Sequence, residues 1–509
     1  MAGEREYAIK HALTREVAYA SLPKARRAGL HAAFADWLER LGNRDELAAF
    51  LAHHYAEAVR PEDVDLAWGD DDDERQRLED KALFWLERAG ELALGRFELD
   101  DALALLHRAL ALEPAGEAQA RLWRTVGRVN ALKFDGDAFF QAMQRSLDVS
   151  SNPDVTAETY GELAFQSALR GGMWRRLPEP ELIESWVDRA LESSGSDNVT
   201  RTKALIARSL WFSNPRPEVA EEATALAERV GEPELLGYAW AGECMAAFRA
   251  GDFETAFGWA QKRFGMLDEI SDPDHVADIY EFAVTAHAAI GRFDEARQLA
   301  LAHEAVVEPL SVHHRLHGSA VLLELDETQA EWARALEIAR ETEARVEANL
   351  ATPCVRNARS LFILAAAAEA TGDSEAAQAY ELRAQEIAPE GYDAMLAAPR
   401  ARLALLRGEI DDVDSLIGPV DLGESRIWFS LQSAAARLDL LAAARRRDEA
   451  EREATPFLDQ KSRYLEPFAL RTLGIVRDDE AMVEQAVHIF ESMGLGWQVT
   501  ETGRLIAEP

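Results

Sequence analysis

The residues best suited to chemistry are the histidines of "SVHHRLHG" (311–318). His313 and His317 lie one helical turn apart, with His314 beside them, and two imidazoles at that spacing can share a metal ion. No acid or cysteine completes the set at a ligand spacing nearby, and no H-E-x-x-H occurs, so the expected role is surface or inter-repeat packing. With only two cysteines, Cys244 and Cys354, neither a disulfide framework nor a thiolate zinc site is expected, and a reducing cytoplasm is.

Phosphate chemistry lacks its parts. There is no G-x-x-x-x-G-K-[ST], and no Gly-Lys pair at all, to wrap backbone amides around a phosphate. No apolar strand ends in paired acids for a magnesium site. A Ser or Cys nucleophile would need an elbow motif, which is missing. The acid run Asp70–Glu74 lacks the spaced ligands and turn glycine of a calcium loop, and is expected as part of a solvated loop over 61–80. The site expectation is therefore empty: no catalytic, cofactor-binding or metal-binding residue, and partner-binding residues not identifiable.

Fifty-five Lys and Arg stand against 91 Asp and Glu, a formal net charge of −36. That average field repels a phosphate backbone, so no nucleic-acid partner is expected. The basic clusters Lys24/Arg26/Arg27, Arg175/Arg176 and Arg445–Arg447 read as solvated helix faces, the first with an alternative role against a neighbouring module. Of 12 tryptophans, Trp123, Trp240 and Trp259 fall on hairpin faces as core; Trp174, Trp211 and Trp428, near turns, are candidates for lining a groove. "LFILAAAAEA" (361–370) is too short to span a bilayer, so no membrane partner is expected. No apolar h-region follows Met1, which predicts no signal peptide.

The elements that would position these residues are helices. Ala, Leu, Glu and Arg dominate, and apolar residues recur at three and four, as in Leu103, Leu106, Ala109 and Leu110. At 509 residues one compact core is excluded, which leaves several domains or a solenoid. "KALFWLERAGELALGRFELDDALALLHRALALEP" (81–114) carries Leu86, Ala89, Gly90, Ala102, Ala109 and Pro114. Counted from Leu83, these stand at positions 4, 7, 8, 20, 27 and 32 of a unit. They are the small and apolar positions of a tetratricopeptide repeat of about 34 residues. Ala93 and Leu106 stand where that repeat commonly has aromatics. Weaker copies follow. Trp123 and Gly127 open one with "FDGDA" (134–138) as its turn, and others turn at Gly251, Gly291, Gly372 and Gly408. Gly251 and Gly291 are 40 residues apart, Gly372 and Gly408 36, so the repeats are degenerate, roughly ten helical hairpins over an array. Each turn glycine is expected at the residue after a helix C-cap, with positive φ. "GGMWRRLPEPE" (171–181) and "WFSNPRPEVA" (211–220) read as Pro-containing turns.

The opening stretch, "YAIKHALTREVAYASLPKARRAGLHAAFADWLE" (7–39), resembles the segment that follows the nucleotide-binding module in bacterial signalling ATPases of the STAND class. These include the ones fused to class III adenylate/guanylate cyclase or helix-turn-helix regulator domains. The matching positions are Tyr7, His11, Ala12, Leu13, Arg15, Val17, Ala18, Tyr19, Leu22, Pro23, Arg26, Arg27, Leu30 and His31. Ile9 departs from the family's phenylalanine. "AVHIFESMGLGWQVTETGRLI" (486–506) resembles the closing hairpin of such proteins, and "LAHHYAEA" (51–58) resembles a common stretch of theirs, which implies helix packing for His53 and His54.

The resemblance implies a winged-helix-like linker remnant over 1–60 with a short strand-like lead-in, an acidic loop over 61–80 and a TPR-like array over 81–509. The whole is expected to be an all-α right-handed superhelix. It implies the sensing half of a longer signalling protein, whether truncated, separately encoded or excised. That half would be a non-catalytic, cofactor-free cytoplasmic scaffold that binds a protein, a peptide or a small ligand in a concave groove. A separate ATPase or cyclase module is a further candidate partner. The alternatives are a stand-alone adaptor acting in trans, or a chain called a cyclase or ATP-binding regulator only because its longer relatives are.

Overall fold

A computed structural model describes residues 12–42, 44–195, 197–211, 217–420, 422, 427–459 and 462–507. Tyr7, Ile9, His11 and the strand-like lead-in lie outside them, as do the side chains of Ala12, Leu13, Arg15 and Trp428 and most of the turn at 211–220. The described residues form 28 α-helices and no strand. In order these begin α1 (Ala12–Ala20), α2 (Lys24–Glu39), α3 (Ala48–Ala58), α4 (Val64–Trp68), α5 (Asp72–Gly95), α6 (Leu99–Leu110), α7 (Gly116–Leu132), α8 (Gly136–Val149) and α9 (Pro153–Leu169). Then come α10 (Pro180–Ser193), α11 (Asn198–Leu210), α12 (Pro217–Val230), α13 (Pro233–Arg249), α14 (Phe253–Phe264), α15 (Pro273–Ala289), α16 (Phe293–Val307), α17 (Val312–Gln329), α18 (Trp332–Glu337) and α19 (Ala339–Asn349). The chain continues through α20 (Val355–Ala370), α21 (Ser374–Ile387), α22 (Asp393–Arg407), α23 (Val413–Leu416) and α24 (Ile427–Ala443). It closes with α25 (Arg447–Asp459), α26 (Leu465–Arg477), α27 (Glu480–Ser492) and α28 (Gly496–Ala507).

Two compact units divide the chain. One runs up to Val129 and adds Gln141–Val155; the other is Asn130–Phe140 with Thr156 onward. In the first unit α2 packs on α3, α3 on α5 and α5 on α6. The α5–α6 pair is the hairpin read from 81–114. Gly90 lets the helices close, since a Cβ there would sit 3.1 Å from Leu106, and Ala102 and Ala109 are fully buried. The acidic loop expected over 61–80 is instead largely helical. Asp71 accepts from the Glu74 amide at 3.1 Å and caps α5. Asp72, Asp73 and Glu74 fill its first turn, where carboxylates meet the positive end of the helix dipole. The acid run is a helix start.

The second unit repeats one design. Pairs α13–α14, α15–α16, α20–α21 and α26–α27 pack as hairpins, and first helices stack on first helices, as in α20 on α22 and α24 on α26. Second helices present alanines one turn apart to their partners, such as Ala256 and Ala260 on α14 and Ala296 and Ala300 on α16. These units are stacked TPR-like helix pairs. Each hairpin turn closes alike. Gly251 and Gly291 have φ of 73° and 76°, and the next amide reaches back to the helix, Asp252 to Ala247 O and Arg292 to His287 O, both at 2.9 Å. Where glycine is absent the chain still adopts the conformation, at Phe97, Phe134, Ala330, Arg445 and Asp478. No described helix is long and apolar enough to cross a membrane.

Gly372 has φ of 89° with open space where a Cβ would go. Gly372→Ala therefore isolates backbone strain and is expected to lower unfolding free energy by about 1–2 kcal/mol. Asp478, exposed with φ of 58°, gives the converse: Asp478→Gly raises it by about 0.5–1 kcal/mol. Urea unfolding of both variants checks the pair.

Candidate functional site

The second unit holds a cavity of about 110 Å³ lined by charged and histidine side chains. It is large enough for several waters or a small polar molecule. Helix periodicity supplies its walls. Asp274, Asp278 and Glu281 recur along one face of α15, His313 and His317 along one face of α17, and Cys354 and Arg356 stand where α20 begins. The turn before α8 contributes Phe134, and the end of α9 contributes Arg170.

Charges meet in two linked groups. Arg170 pairs with Asp274, whose other oxygen lies 2.8 Å from His314 Nε2. The Ser311 hydroxyl, 2.7 Å from His314 Nδ1, anchors that ring. Burial would raise Asp274, but Arg170 and His314 hold it well below the usual carboxylate range. In the second group Arg356 Nη1 reaches both Glu281 oxygens at 2.9 Å, and its Nε and Nη2 hold Glu324 at 2.9 and 3.0 Å. Glu281 Oε1 also lies 2.9 Å from His317 Nδ1. Glu281 is likewise depressed, because Arg356 and His317 outweigh its burial.

The same pattern continues along the first helices. Arg359 Nη2 of α20 meets Glu327 of α17 at 2.6 Å. Asp439 of α24, fully buried, is held by Arg402 of α22 and Arg471 of α26. These ion pairs tie α15, α17 and α20 into one group and α22, α24 and α26 into another, and Arg359 Nη1 donates from α20 to the Met395 carbonyl of α22 at 2.7 Å.

Two buried histidines stand apart. His303 and His313 have no hydrogen-bond partner at either ring nitrogen among the described residues. Burial pushes His303 down to about 4. His313, 2% exposed, stacks on Phe134 with ring centroids 3.6 Å apart. Burial and then the neighbouring His317 and His314 keep it well below its ordinary value.

The histidine pair of the sequence thus gains the partners its spacing withheld. Cys354, 37 residues beyond His317, places Sγ 3.6 Å from His317 Nε2, and Glu281 arrives from α15. The packing role expected for His53 and His54 is joined by a polar one in the first unit. His31 Nδ1 lies 2.7 Å from His54 Nδ1, and Tyr19 OH 2.8 Å from His31 Nε2. The basic clusters are paired locally: Lys24 with Asp63 at 2.5 Å, Arg176 with Glu179 at 3.5 Å, Arg446 with Glu449 at 3.7 Å. Trp240 and Trp259 receive Lys262 on their faces at 3.9 and 4.6 Å. Trp211 is buried and Trp174 lies against Phe139 and Phe140, so neither opens a groove. Arg170, Asp274, Glu281 and Arg356 escaped sequence reading, although Glu324/Glu327 and Arg356/Arg359 share an i, i+3 spacing, each pair separated by 32 residues.

No protein-family model and no curated protein matches the sequence. Among solved structures the chain is similar to the crystal structure of the P58(IPK) TPR domain, at 13% identity, over 84% of this chain and 98% of that one, with a TM-score of 0.25. The repeat architecture is read from the helix pairs themselves.

Two Nδ1 atoms 2.7 Å apart need one donor and one acceptor, so His31 and His54 do not both carry two protons in this geometry. Burial, then the charges of His31 and His53, push His54 down to about 4. Unfolded histidine takes its proton near 6.5, so below that pH the unfolded chain binds more protons. The stability contributed by the neutral, buried His54 is full above 6.5 and is lost as pH falls through about 4. Hydrogen exchange of α2 and α3 should accelerate across that window, and His54→Gln should flatten the dependence.

Proposed function

We propose that this chain is a non-catalytic helical-repeat scaffold, the sensor and protein-interaction region of a signal-transduction ATPase or cyclase-type regulator. The observation that carries the reading is the run of stacked hairpins whose first helices turn charged faces inward, where every carboxylate on the cavity's two linked groups is committed to an arginine or histidine. Stacked helical hairpins of this kind recognise partners along their extended exposed face, while the buried pairs fix the stacking. The opening helices support the linker reading, for α2 and α3 are fastened to the first hairpin. Tyr55 OH donates to Asp36 at 2.7 Å and to Glu39 at 2.9 Å, and Arg77 of α5 grips Asp36.

In this reading residues 1–60 join the ATPase and 81–509 form the binding array. Occupancy by a protein, peptide or small ligand biases the ATPase between two states, a coupling of about 1–3 kcal/mol. Both cysteines are free and buried, which supports a reducing, cytoplasmic setting, and the net charge of −36 supports a partner other than nucleic acid. A stand-alone adaptor acting in trans on a separate ATPase uses the same surface.

The purified chain, titrated with MgATP by calorimetry and assayed for phosphate release, is expected to give neither saturable heat nor turnover. Saturable magnesium-dependent hydrolysis that survives repurification contradicts the scaffold.

A further inference from the structure

We propose that His313, His317 and Cys354 form a binding site for one zinc-class transition-metal ion, with a fourth coordination position open to the cavity. The inference stands apart from the signalling reading and does not depend on it.

The donor atoms of the three residues lie within 4.8 Å of one another. A tetrahedral zinc site with Zn–S of about 2.3 Å and Zn–N of about 2.05 Å places sulfur and nitrogen about 3.6 Å apart. The Cys354 Sγ to His317 Nε2 distance is 3.6 Å. His317 is also oriented as a metal ligand is. Its Nδ1 lies 2.9 Å from Glu281 Oε1 and 2.7 Å from Arg356 Nη1, so the ring is held from that side and Nε2 is the nitrogen turned toward the sulfur; with the Nδ1 proton on Glu281's side this is the carboxylate–histidine–metal arrangement.

His313 supplies the independent argument. It is 2% exposed, fixed by its stack on Phe134, and has no hydrogen-bond partner at either ring nitrogen among the described residues. A buried imidazole in that condition is costly, and a metal ion satisfies it. Gly172 closes the site from the side: a Cβ there would lie 3.7 Å from Cys354 Sγ and 3.9 Å from His313 Cε1. The nearby cations are already committed, Arg170 to Asp274 and Arg356 to Glu281 and Glu324. One thiolate and two neutral imidazoles leave a zinc ion with one positive charge beside the Glu281 carboxylate. A two-nitrogen, one-sulfur set favours zinc over magnesium or calcium, which prefer oxygen. The cavity beside it leaves the remaining position to water or a small anion. The ion would bind the start of α20 to α17.

The test uses the full chain, stripped with chelator and titrated with Co²⁺ and Zn²⁺. Expected are one equivalent of metal, a thiolate-to-cobalt charge-transfer band with the strong visible bands of a tetrahedral site, and displacement of cobalt by zinc. Cys244→Ala should keep the charge-transfer band and Cys354→Ser should lose it. His313→Gln should weaken zinc at least tenfold, and a His53→Gln/His54→Gln variant should leave the band unchanged. If Cys354→Ser fails to fold, the band's persistence in Cys244→Ala still assigns the sulfur, because the chain has two cysteines. No metal uptake, which would leave a plain S–H···N hydrogen bond, overturns the proposal. So does cobalt bound without thiolate character, or a band that vanishes in Cys244→Ala.

Discussion

The second unit depends on buried charge. An arginine taken out of water is costly unless a carboxylate meets it, and one partner of a buried pair without the other is strongly destabilising. Here the partners come from different hairpins. Arg356 at the head of α20 holds Glu281 of α15 and Glu324 of α17, and Asp439 of α24 stands between Arg402 and Arg471. Apolar packing alone is indifferent to small shifts along a helix. Ion pairs with this geometry are not, so they set the register among α15, α17 and α20 and among α22, α24 and α26. The cavity and its histidines exist because that register brings α15, α17 and α20 to one place.

Much of the fold could be read from local chemistry. The turn glycines Gly251, Gly291, Gly372 and Gly408 mark hairpins because a left-handed residue must follow the first helix, and all four have positive φ. Gly90 and Ala102 mark the close approach of α5 and α6 for the same steric reason. The reading failed where one feature has two physical uses. The acid run Asp70–Glu74 is what a solvated loop looks like, and equally what the first turn of a helix wants; Asp71 capping α5 decides between them. At Ala330 the turn has no glycine to announce it.

The site was legible only in half. His313 and His317 are neighbours by helix geometry, so their spacing reveals them. Cys354 reaches His317 across 37 residues and Glu281 reaches it across 36, and nothing in local spacing encodes contacts between stacked hairpins. Arg356 and Arg359 read as polar punctuation before the apolar run of α20. Only the matched i, i+3 spacing with Glu324 and Glu327 hints that they are buried partners.

Native-state hydrogen exchange on the intact chain, compared with Asp439→Asn, tests the central role of the ion-pair chain most directly. The substitution keeps volume but strips the shared charge from Arg402 and Arg471, a loss of about 3–5 kcal/mol for a broken buried pair. The account predicts faster exchange across α22, α24 and α26 together, with α5 of the first unit unchanged. Acceleration confined to the turn of helix around residue 439, or none at all, would contradict it.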